Sequence, residues 1–231
     1  MKHLFRLAGR AVVLLLALLL AYQAWLFAHV LWWNFFDPSS SAFMDERLQL
    51  LREKDPQARL RHEWVAYEKI SPSLKRALVA AEDANFLEHE GFDWDAIERA
   101  YAKNLKKGRF VAGGSTISQQ LAKNLFLSGR RSVARKLQEA AITVMIETVM
   151  SKKRIFEIYL NVIEWGDGVF GAEAASRHYF KKSARQLGRW EAARLAAMVP
   201  NPRYYDRHRN TRYLERKTRL IVSRMPAAVV P

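Results

Sequence analysis

The chain has 231 residues, of which 38 are lysine or arginine and 23 are aspartate or glutamate, so its formal net charge is +15. Half of the residues are hydrophobic, which is too many for an intrinsically disordered chain. The length excludes a large multidomain enzyme, and the absence of cysteine excludes a disulfide framework and cysteine chemistry.

The N-terminal part carries a long apolar run. Residues 11–36 contain no Asp, Glu, Lys or Arg. As a helix they would be about 39 Å long, more than the roughly 30 Å of a bilayer's hydrocarbon core. The alternative is a cleaved signal peptide, but the run exceeds the usual apolar region of such peptides and lacks a clear cleavage site. We therefore predict an uncleaved transmembrane anchor over residues 11–36.

Charges beside this anchor predict its orientation. The nearest are Lys2, Arg6 and Arg10 before it and Asp37, Asp45 and Glu46 after it. The positive-inside rule then places the tail, residues 1–10, in the cytoplasm and the following domain on the far side of the membrane. That domain stays basic, which suits an anionic surface or ligand. Nucleic acid is excluded as a partner because it would lie on the wrong side of the membrane.

Helical patterns dominate the remaining sequence, so we predict a mainly α domain with little sheet. Residues 37–70 are poorly periodic, and we expect short elements in a juxtamembrane connection. Three predicted helices begin after the N-cap residues Ser71, Asp93 and Thr116, and a fourth, the longest, begins at about Ser132. Further helices are expected at about 152–162, 171–180, 188–198 and 210–224. The helix after Ser132, ending near Met150, is apolar on several sides and is expected to be central.

Glu82 ends an apolar row on the first of these helices. Leu74 and Leu78 precede it at four-residue spacing, so its carboxylate lies on the face that should meet the core. Partial burial raises the pKa of a carboxylate, as general acid or base catalysis requires. The alternative is a solvated glutamate bonded within the turn that follows. Position alone leaves both interpretations open.

Glu139 also shares an apolar face, with Ile142 and Ile146 of the longest helix. Arg135 and Lys136 lie one turn before it, so an ordinary helix salt bridge is the simpler explanation of this residue by itself.

The segment 113–126 combines two glycines with a polar helix start. Ser115, Thr116 and Ser118 surround the free N–H groups at that start, which predicts an anion site. The alternative is a capped helix with a polar, exposed face. Gln119, Gln120 and Lys123 continue that face into the helix.

These segments closely resemble glycosyltransferase family 51, the peptidoglycan glycosyltransferases, in their monofunctional membrane-anchored form. Five blocks correspond in order: Glu82–Gly91, Gly113–Phe126, Arg135–Glu139, Ser151–Asn161 continuing into Glu164–Gly171, and Glu191–Pro202. Together they span roughly residues 65–205. On this basis residues 37–64 are assigned to the juxtamembrane segment and residues 65–231 to the glycosyltransferase domain.

The resemblance implies a lysozyme-like fold with two lobes around a long cleft, the smaller lobe dipping into the membrane. It implies polymerisation of lipid II into β-1,4 glycan strands, so the partners would be lipid II, the growing strand and membrane lipid, with division or elongation proteins left open. A bacterial inner membrane location follows from the anchored relatives. Bifunctional relatives carry a transpeptidase domain, for which this chain is too short.

By resemblance Glu82 is the catalytic base and Glu139 the second essential acid. The residues implied along the cleft are Ser115, Gln119, Gln120, Lys123, Asn124, Arg130, Arg131 and Arg135. A pyrophosphate leaving group needs cations rather than an acid, and the acceptor hydroxyl needs a base, so we expect inversion at C1. No cofactor is obligatory. A divalent cation, Mg²⁺ or Mn²⁺, would be shared with the pyrophosphate because one carboxylate cannot form a metal cage.

Two rival interpretations remain. A lytic transglycosylase or hydrolase of similar fold would use Glu82 as a general acid, but it has no need of cations near the anomeric carbon. A membrane-tethered scaffold with a vestigial cleft would have no reason to keep a carboxylate on an apolar stripe.

Overall fold

The computed structural model describes residues 2–109, 111, 113–130 and 132–231. They form two compact units, one ending at Asp37 and the other beginning at Pro38. The first unit is a single helix, α1 (Lys2–Phe35), which begins well before the predicted apolar run. Its stretch Phe5–Phe35 is long and apolar enough to cross a membrane.

The second unit is built mainly from helices, which confirms the mainly α fold class. Its described α-helices are α2 (Ala42–Arg52), α3 (Pro72–Glu82), α4 (Trp94–Lys107), α5 (Ile117–Phe126), α6 (Val133–Val149), α7 (Lys152–Val162), α8 (Ala172–Phe180), α9 (Arg189–Met198), α10 (Pro202–Arg207) and α11 (Arg212–Arg224).

The three predicted N-caps are confirmed, and Ser132 caps the fourth helix. The side chains of Ser71, Asp93, Thr116 and Ser132 each accept a hydrogen bond from a backbone N–H in the first turn of their helix. These bonds satisfy donors that a helix start leaves free, and they explain why the four helices begin where the sequence predicts. Thr116 and Gln119 also form a capping box, in which the side chain of each accepts a hydrogen bond from the backbone N–H of the other.

A three-stranded sheet joins distant parts of the second unit. Its strands are β1 (Arg61–His62), β2 (Glu164–Gly166) and β3 (Val169–Phe170), in the order β1-β3-β2. β1 runs parallel to β3, whereas β2 is antiparallel to it with an irregular register. Gly168 makes the turn between β2 and β3 with a φ of +70°, a conformation that favours glycine. The sheet is small, as the scarcity of alternating patterns predicts.

The helices of the second unit form two packed groups. α5 packs against α6, α7 and α2, while α3 packs against α9 and α11. Large side chains that are fully buried, Phe86, Phe156, Tyr159 and Trp165, fill the core. Alanines on α9, including Ala192, Ala193, Ala196 and Ala197, are fully buried and let α3 and α11 approach that helix closely.

Three expectations need correction. Residues 37–70 contain an 11-residue helix, α2, packed on α5, rather than short elements alone. α10 was not predicted. α6 is not central, because Val133 is 78 % exposed and Leu137 is 69 % exposed. Only the face that carries Glu139, Ile142 and Ile146 is buried, so α6 lies at the surface of the unit.

Candidate active site

Glu82 is the last residue of α3, and its carboxylate is partly buried. Glu82 Oε2 accepts a hydrogen bond of 3.0 Å from Gln120 Nε2 on α5. Burial raises the pKa of Glu82, while the nearby Lys217 ammonium and the Gln120 bond oppose this effect. The carboxylate therefore contacts another helix rather than being solvated within its own turn, and its pKa is raised as a general base requires.

The orientation of Gln120 depends on a second helix. Tyr159 of α7 is fully buried, and its hydroxyl donates to Gln120 Oε1 over 3.0 Å. Burial raises the pKa of Tyr159 well above its ordinary value, so the hydroxyl stays protonated. The Gln120 amide thus accepts from Tyr159 and donates to Glu82.

Asp83, next to the candidate base, holds the start of α5. Its buried carboxylate accepts from the backbone N–H of Ile117 at 2.9 Å and from His89 Nε2 at 3.0 and 3.1 Å. His89 Nδ1 in turn accepts from the Gly91 N–H at 3.1 Å, so the neutral imidazole carries its proton on Nε2. His89 thereby braces the turn before Gly91.

The turn at Gly91 packs against the side chains of α6. Gly91 has a φ of +91°, and a Cβ there would lie 2.7 Å from Thr143 Cγ2. Its carbonyl accepts from Thr116 Oγ1 at 2.7 Å. Glu147 accepts from Ser118 Oγ and from Lys152 Nζ, which ties α5 to α6. Side-chain bonds thus hold α5 at its first turn on two sides.

The prediction of an anion site at the start of α5 is wrong. Asp83 takes the Ile117 N–H, and the capping box takes the N–H groups of Thr116 and Gln119. Ser118 donates to Glu147 instead of facing a ligand. The helix start binds the protein's own carboxylate, because Asp83, 34 residues before Ile117, folds back onto it.

A cationic cluster lies along α5 and α6. The buried carboxylate of Glu139 pairs with Arg135 Nη1 at 2.7 Å and with Lys136 Nζ. This is the salt bridge that the spacing on α6 predicts. Burial lowers the pKa of Lys123, while the Glu139 and Glu82 carboxylates oppose this effect. Lys123 is thus near both carboxylates that the resemblance implies.

One N–H group of Arg135 is unpaired among the described residues. Its Nε is buried and finds no hydrogen-bond acceptor among the described residues. An unpaired buried donor costs about 1 to 3 kcal/mol, so a ligand oxygen at this position would recover that energy. The guanidinium also suits a phosphate, which it can contact through two nitrogens.

A cavity of about 780 Å³ opens beside this cluster, between α4, α5 and α6. Its lining includes Ser115, Gln119, Ser132, Arg135 and Lys136. Gln119 Oε1 is occupied by the capping box. Three of the predicted binding residues, Ser115, Gln119 and Arg135, therefore line this cavity.

The other predicted residues are placed differently. Asn124 is buried, and its Nδ2 donates to the Gln120 carbonyl at 2.7 Å, so it supports α5 from within. Arg130 is exposed at the loop before α6. Arg131 lies outside the described residues, and its predicted role stays a prediction.

The described residues do not form a metal site by themselves. They contain no group of three histidine or acidic side chains that could hold an ion. Both oxygens of Glu139 are already paired with cations. Any divalent cation would have to arrive with ligand oxygens of its own.

Sequence reasoning missed two residues that act on Glu82. Tyr159 reaches it through Gln120, and Lys217 of α11 lies near enough to lower its pKa. Lys217 flanks the buried row Leu214, Thr218 and Ile221, and this position beside an apolar stripe is a signal that could have marked it.

Known proteins resemble this chain over nearly its whole length. The family described as transglycosylase matches residues 49–226. A biosynthetic peptidoglycan transglycosylase of Nitrosospira multiformis is 64 % identical over 222 residues, covering 96 % of each chain. Those of Laribacter hongkongensis and Methylobacillus flagellatus are 63 % and 62 % identical, and the alignments cover 96 % and 100 % of this chain and 97 % and 99 % of theirs. The chain therefore belongs to the transglycosylase family, and it is a glycosyltransferase.

Proposed function

We propose that this glycosyltransferase polymerises lipid II into β-1,4 glycan strands of peptidoglycan and releases undecaprenyl pyrophosphate. The names of the relatives identify peptidoglycan as the polymer that they make. The arrangement of charges in this chain supports a displacement with a base and an anionic leaving group. One observation carries the proposal: a carboxylate of raised pKa, Glu82, lies near Lys123, which also faces the Glu139 and Arg135 cluster. A base and a cationic site for a leaving group are thus brought together.

Glu82 acts as the general base in this proposal. Its carboxylate removes the proton from the acceptor's 4-hydroxyl while the oxygen attacks C1 of the donor sugar. The bond between C1 and the pyrophosphate oxygen breaks, and the lipid pyrophosphate leaves with the electron pair. A single displacement from the opposite face converts the α-linked donor to a β-linked product.

Lys123 and Arg135 hold the pyrophosphate. The leaving group is already stable as an anion, so positive charge rather than a proton donor assists its departure. The unpaired Arg135 Nε supports this assignment, because it lacks an acceptor among the described residues. Glu139 orients Arg135 and Lys136 through its ion pairs. No resident cofactor is required, and a divalent cation enters only with the pyrophosphate.

The helix α1 anchors the enzyme in the bacterial inner membrane with its N-terminus in the cytoplasm. The length and apolar character of Phe5–Phe35 support this proposal, as do the basic residues Lys2, Arg6 and Arg10 at the N-terminal end of α1. The catalytic unit then works in the periplasm, where lipid II presents its disaccharide. Because the chain contains no cysteine, single introduced cysteines labelled with an impermeant maleimide can test this orientation.

The direct test is polymerisation of labelled lipid II by the purified full-length chain, with and without Mg²⁺. We expect long, lysozyme-sensitive strands from the wild type. Glu82→Gln should bind lipid II but lose at least about 100-fold in rate, because the shape of the base remains and its basicity does not. Glu88→Gln, an exposed change in the following turn, is the matched control. Absence of polymer from the wild type, or soluble fragments released from cell-wall sacculi, would contradict the proposal.

A further inference from the structure

The hydroxyl of Tyr159 is connected to the Glu82 carboxylate through one side-chain amide. Tyr159 donates to Gln120 Oε1, and Gln120 Nε2 donates to Glu82 Oε2, each over 3.0 Å. The three side chains come from α7, α5 and α3, so the hydrogen bonds cross three helices. Tyr159 is fully buried, and its influence on the base passes through Gln120.

The Gln120 amide has two orientations that differ in their effect on the base. With the nitrogen toward Glu82, it donates to the carboxylate and favours the ionised form. With the oxygen toward Glu82, it repels an ionised carboxylate and accepts a bond only from the protonated form. The orientation of this one amide therefore biases the protonation state of the base.

Tyr159 distinguishes the two orientations. Its hydroxyl proton finds one acceptor among the described residues, Gln120 Oε1. If the amide turned, this proton would face an amide nitrogen and lose its acceptor in a fully buried position, which is unfavourable. Burial also raises the pKa of Tyr159, so the hydroxyl remains a donor over the working pH range.

We propose that Tyr159 is a positioning residue that holds the Gln120 amide with its nitrogen toward Glu82 and so keeps the base ready to accept a proton. This inference rests on the proposed role of Glu82 as the base.

Other charged groups also face Glu82. Asp83, in the same turn, disfavours the ionised carboxylate, whereas Lys217 of α11 and Lys123 of α5 favour it. All three remain in place when the Tyr159 hydroxyl is removed. A change in the titration of activity after that removal therefore reports on the amide rather than on the surrounding charges.

The test is the pH dependence of kcat/KM for lipid II polymerisation by the full-length chain. At low pH the rate falls because the base becomes protonated, and we call this part of the profile the acidic limb. In Tyr159→Phe we expect the acidic limb to move upward by about one pH unit, because the ionised carboxylate of Glu82 no longer has the Gln120 N–H as a fixed donor. Above that limb the rate should approach that of the wild type. Tyr179→Phe is the matched control, since it removes another hydroxyl, bonded to the Trp165 carbonyl at 2.8 Å. Its acidic limb should not move.

A second variant keeps the inference testable if Tyr159→Phe folds poorly. Gln120→Leu removes the amide itself and should move the acidic limb upward at least as far. Adding Tyr159→Phe to Gln120→Leu should then move it no further, because Tyr159 acts through the amide.

Two results would overturn the inference: a limb that stays in place in Tyr159→Phe, or a rate that falls equally at every pH. Glu82→Gln separates this failure from failure of the proposed function. If Glu82→Gln polymerises normally, Glu82 is not the base. If it is inactive while the Tyr159→Phe limb stays in place, only the role of Tyr159 is wrong.

Discussion

Gln120 presents its amide nitrogen to Glu82 Oε2 at 3.0 Å, the one hydrogen bond that the described residues make to this carboxylate. In the proposed mechanism the second oxygen accepts the proton of the acceptor hydroxyl. Burial raises the pKa of Glu82, which suits a general base. The same burial lowers the stability of the folded chain when the carboxylate is ionised. Stability and catalysis should therefore respond in opposite directions when this charge is removed.

The first prediction concerns the stability of Glu82→Gln as a function of pH. A raised native pKa means that the folded chain binds more protons than the unfolded chain, from about pH 4.5 up to that raised pKa. The wild type should lose stability as pH rises through this window. Glu82→Gln has no such loss, so its melting temperature should exceed that of the wild type by a few °C (about 2 to 4 °C per kcal/mol) at neutral pH.

Thermal unfolding of both proteins between pH 4 and 8 measures this effect. The difference should shrink as the pH approaches 4. Glu88→Gln reports the effect of removing an exposed charge from the following turn. A Glu82→Gln variant less stable than the wild type at neutral pH would contradict the prediction.

The second prediction concerns the cationic cluster. Lys123→Ala and Arg135→Ala should each lower kcat/KM for lipid II by roughly 10- to 100-fold, because each removes one of the charged contacts that we propose to the pyrophosphate. Arg135→Ala also leaves Glu139 with one fewer partner in a buried position. Steady-state kinetics of polymerisation measure the loss, with the exposed Lys54→Ala as control. Unchanged kinetics in both variants would rule out the proposed pyrophosphate site.

The third prediction concerns the support of α5. Asp83→Ala removes the acceptor of the Ile117 N–H and of His89 Nε2, both of which lie in a buried region. We expect a loss of about 2 to 4 kcal/mol in the free energy of unfolding, since buried donors without acceptors are costly. Denaturant unfolding measures this loss. The exposed Asp95→Ala should cost less than about 1 kcal/mol, and an equal cost in both variants would show that Asp83 does not hold the helix.

The fourth prediction compares two glycines of positive φ. Gly91→Ala forces a Cβ to within 2.7 Å of Thr143, whereas Gly108→Ala meets no atom within 4 Å. Gly108→Ala should therefore cost only the backbone strain, about 1 kcal/mol, and Gly91→Ala clearly more. Melting temperatures of the two variants measure the contrast. Equal shifts would show that the turn at Gly91 can move away from α6.

Much of the fold could be predicted because its signals are local. Ser71, Asp93, Thr116 and Ser132 mark helix starts through bonds within the first turn, so the sequence contains the whole interaction. Glu82 could be singled out for the same reason, since its apolar row lies on one helix.

The failures involve contacts that are distant in sequence. The start of α5 has the composition of an anion site, but Asp83 occupies it from 34 residues away. α6 is apolar on several sides, yet no described element covers the face of Val133 and Leu137. Tyr159 lies 39 residues from Gln120, and nothing in its own segment connects it to Glu82. Periodicity identifies which faces are apolar but not what packs against them.

Asp83 and Glu82 are consecutive residues, and both bind α5, one at its start and the other at Gln120. Lys123 stands one turn further along the same helix. Glu82 and Lys123, the base and the cation of the proposed mechanism, are therefore linked through α5, which the Glu82–Asp83 pair contacts at two points. If neighbouring helices shift to admit a longer strand, we expect the distance between the Glu82 carboxylate and the Lys123 ammonium to stay the same from one round of addition to the next.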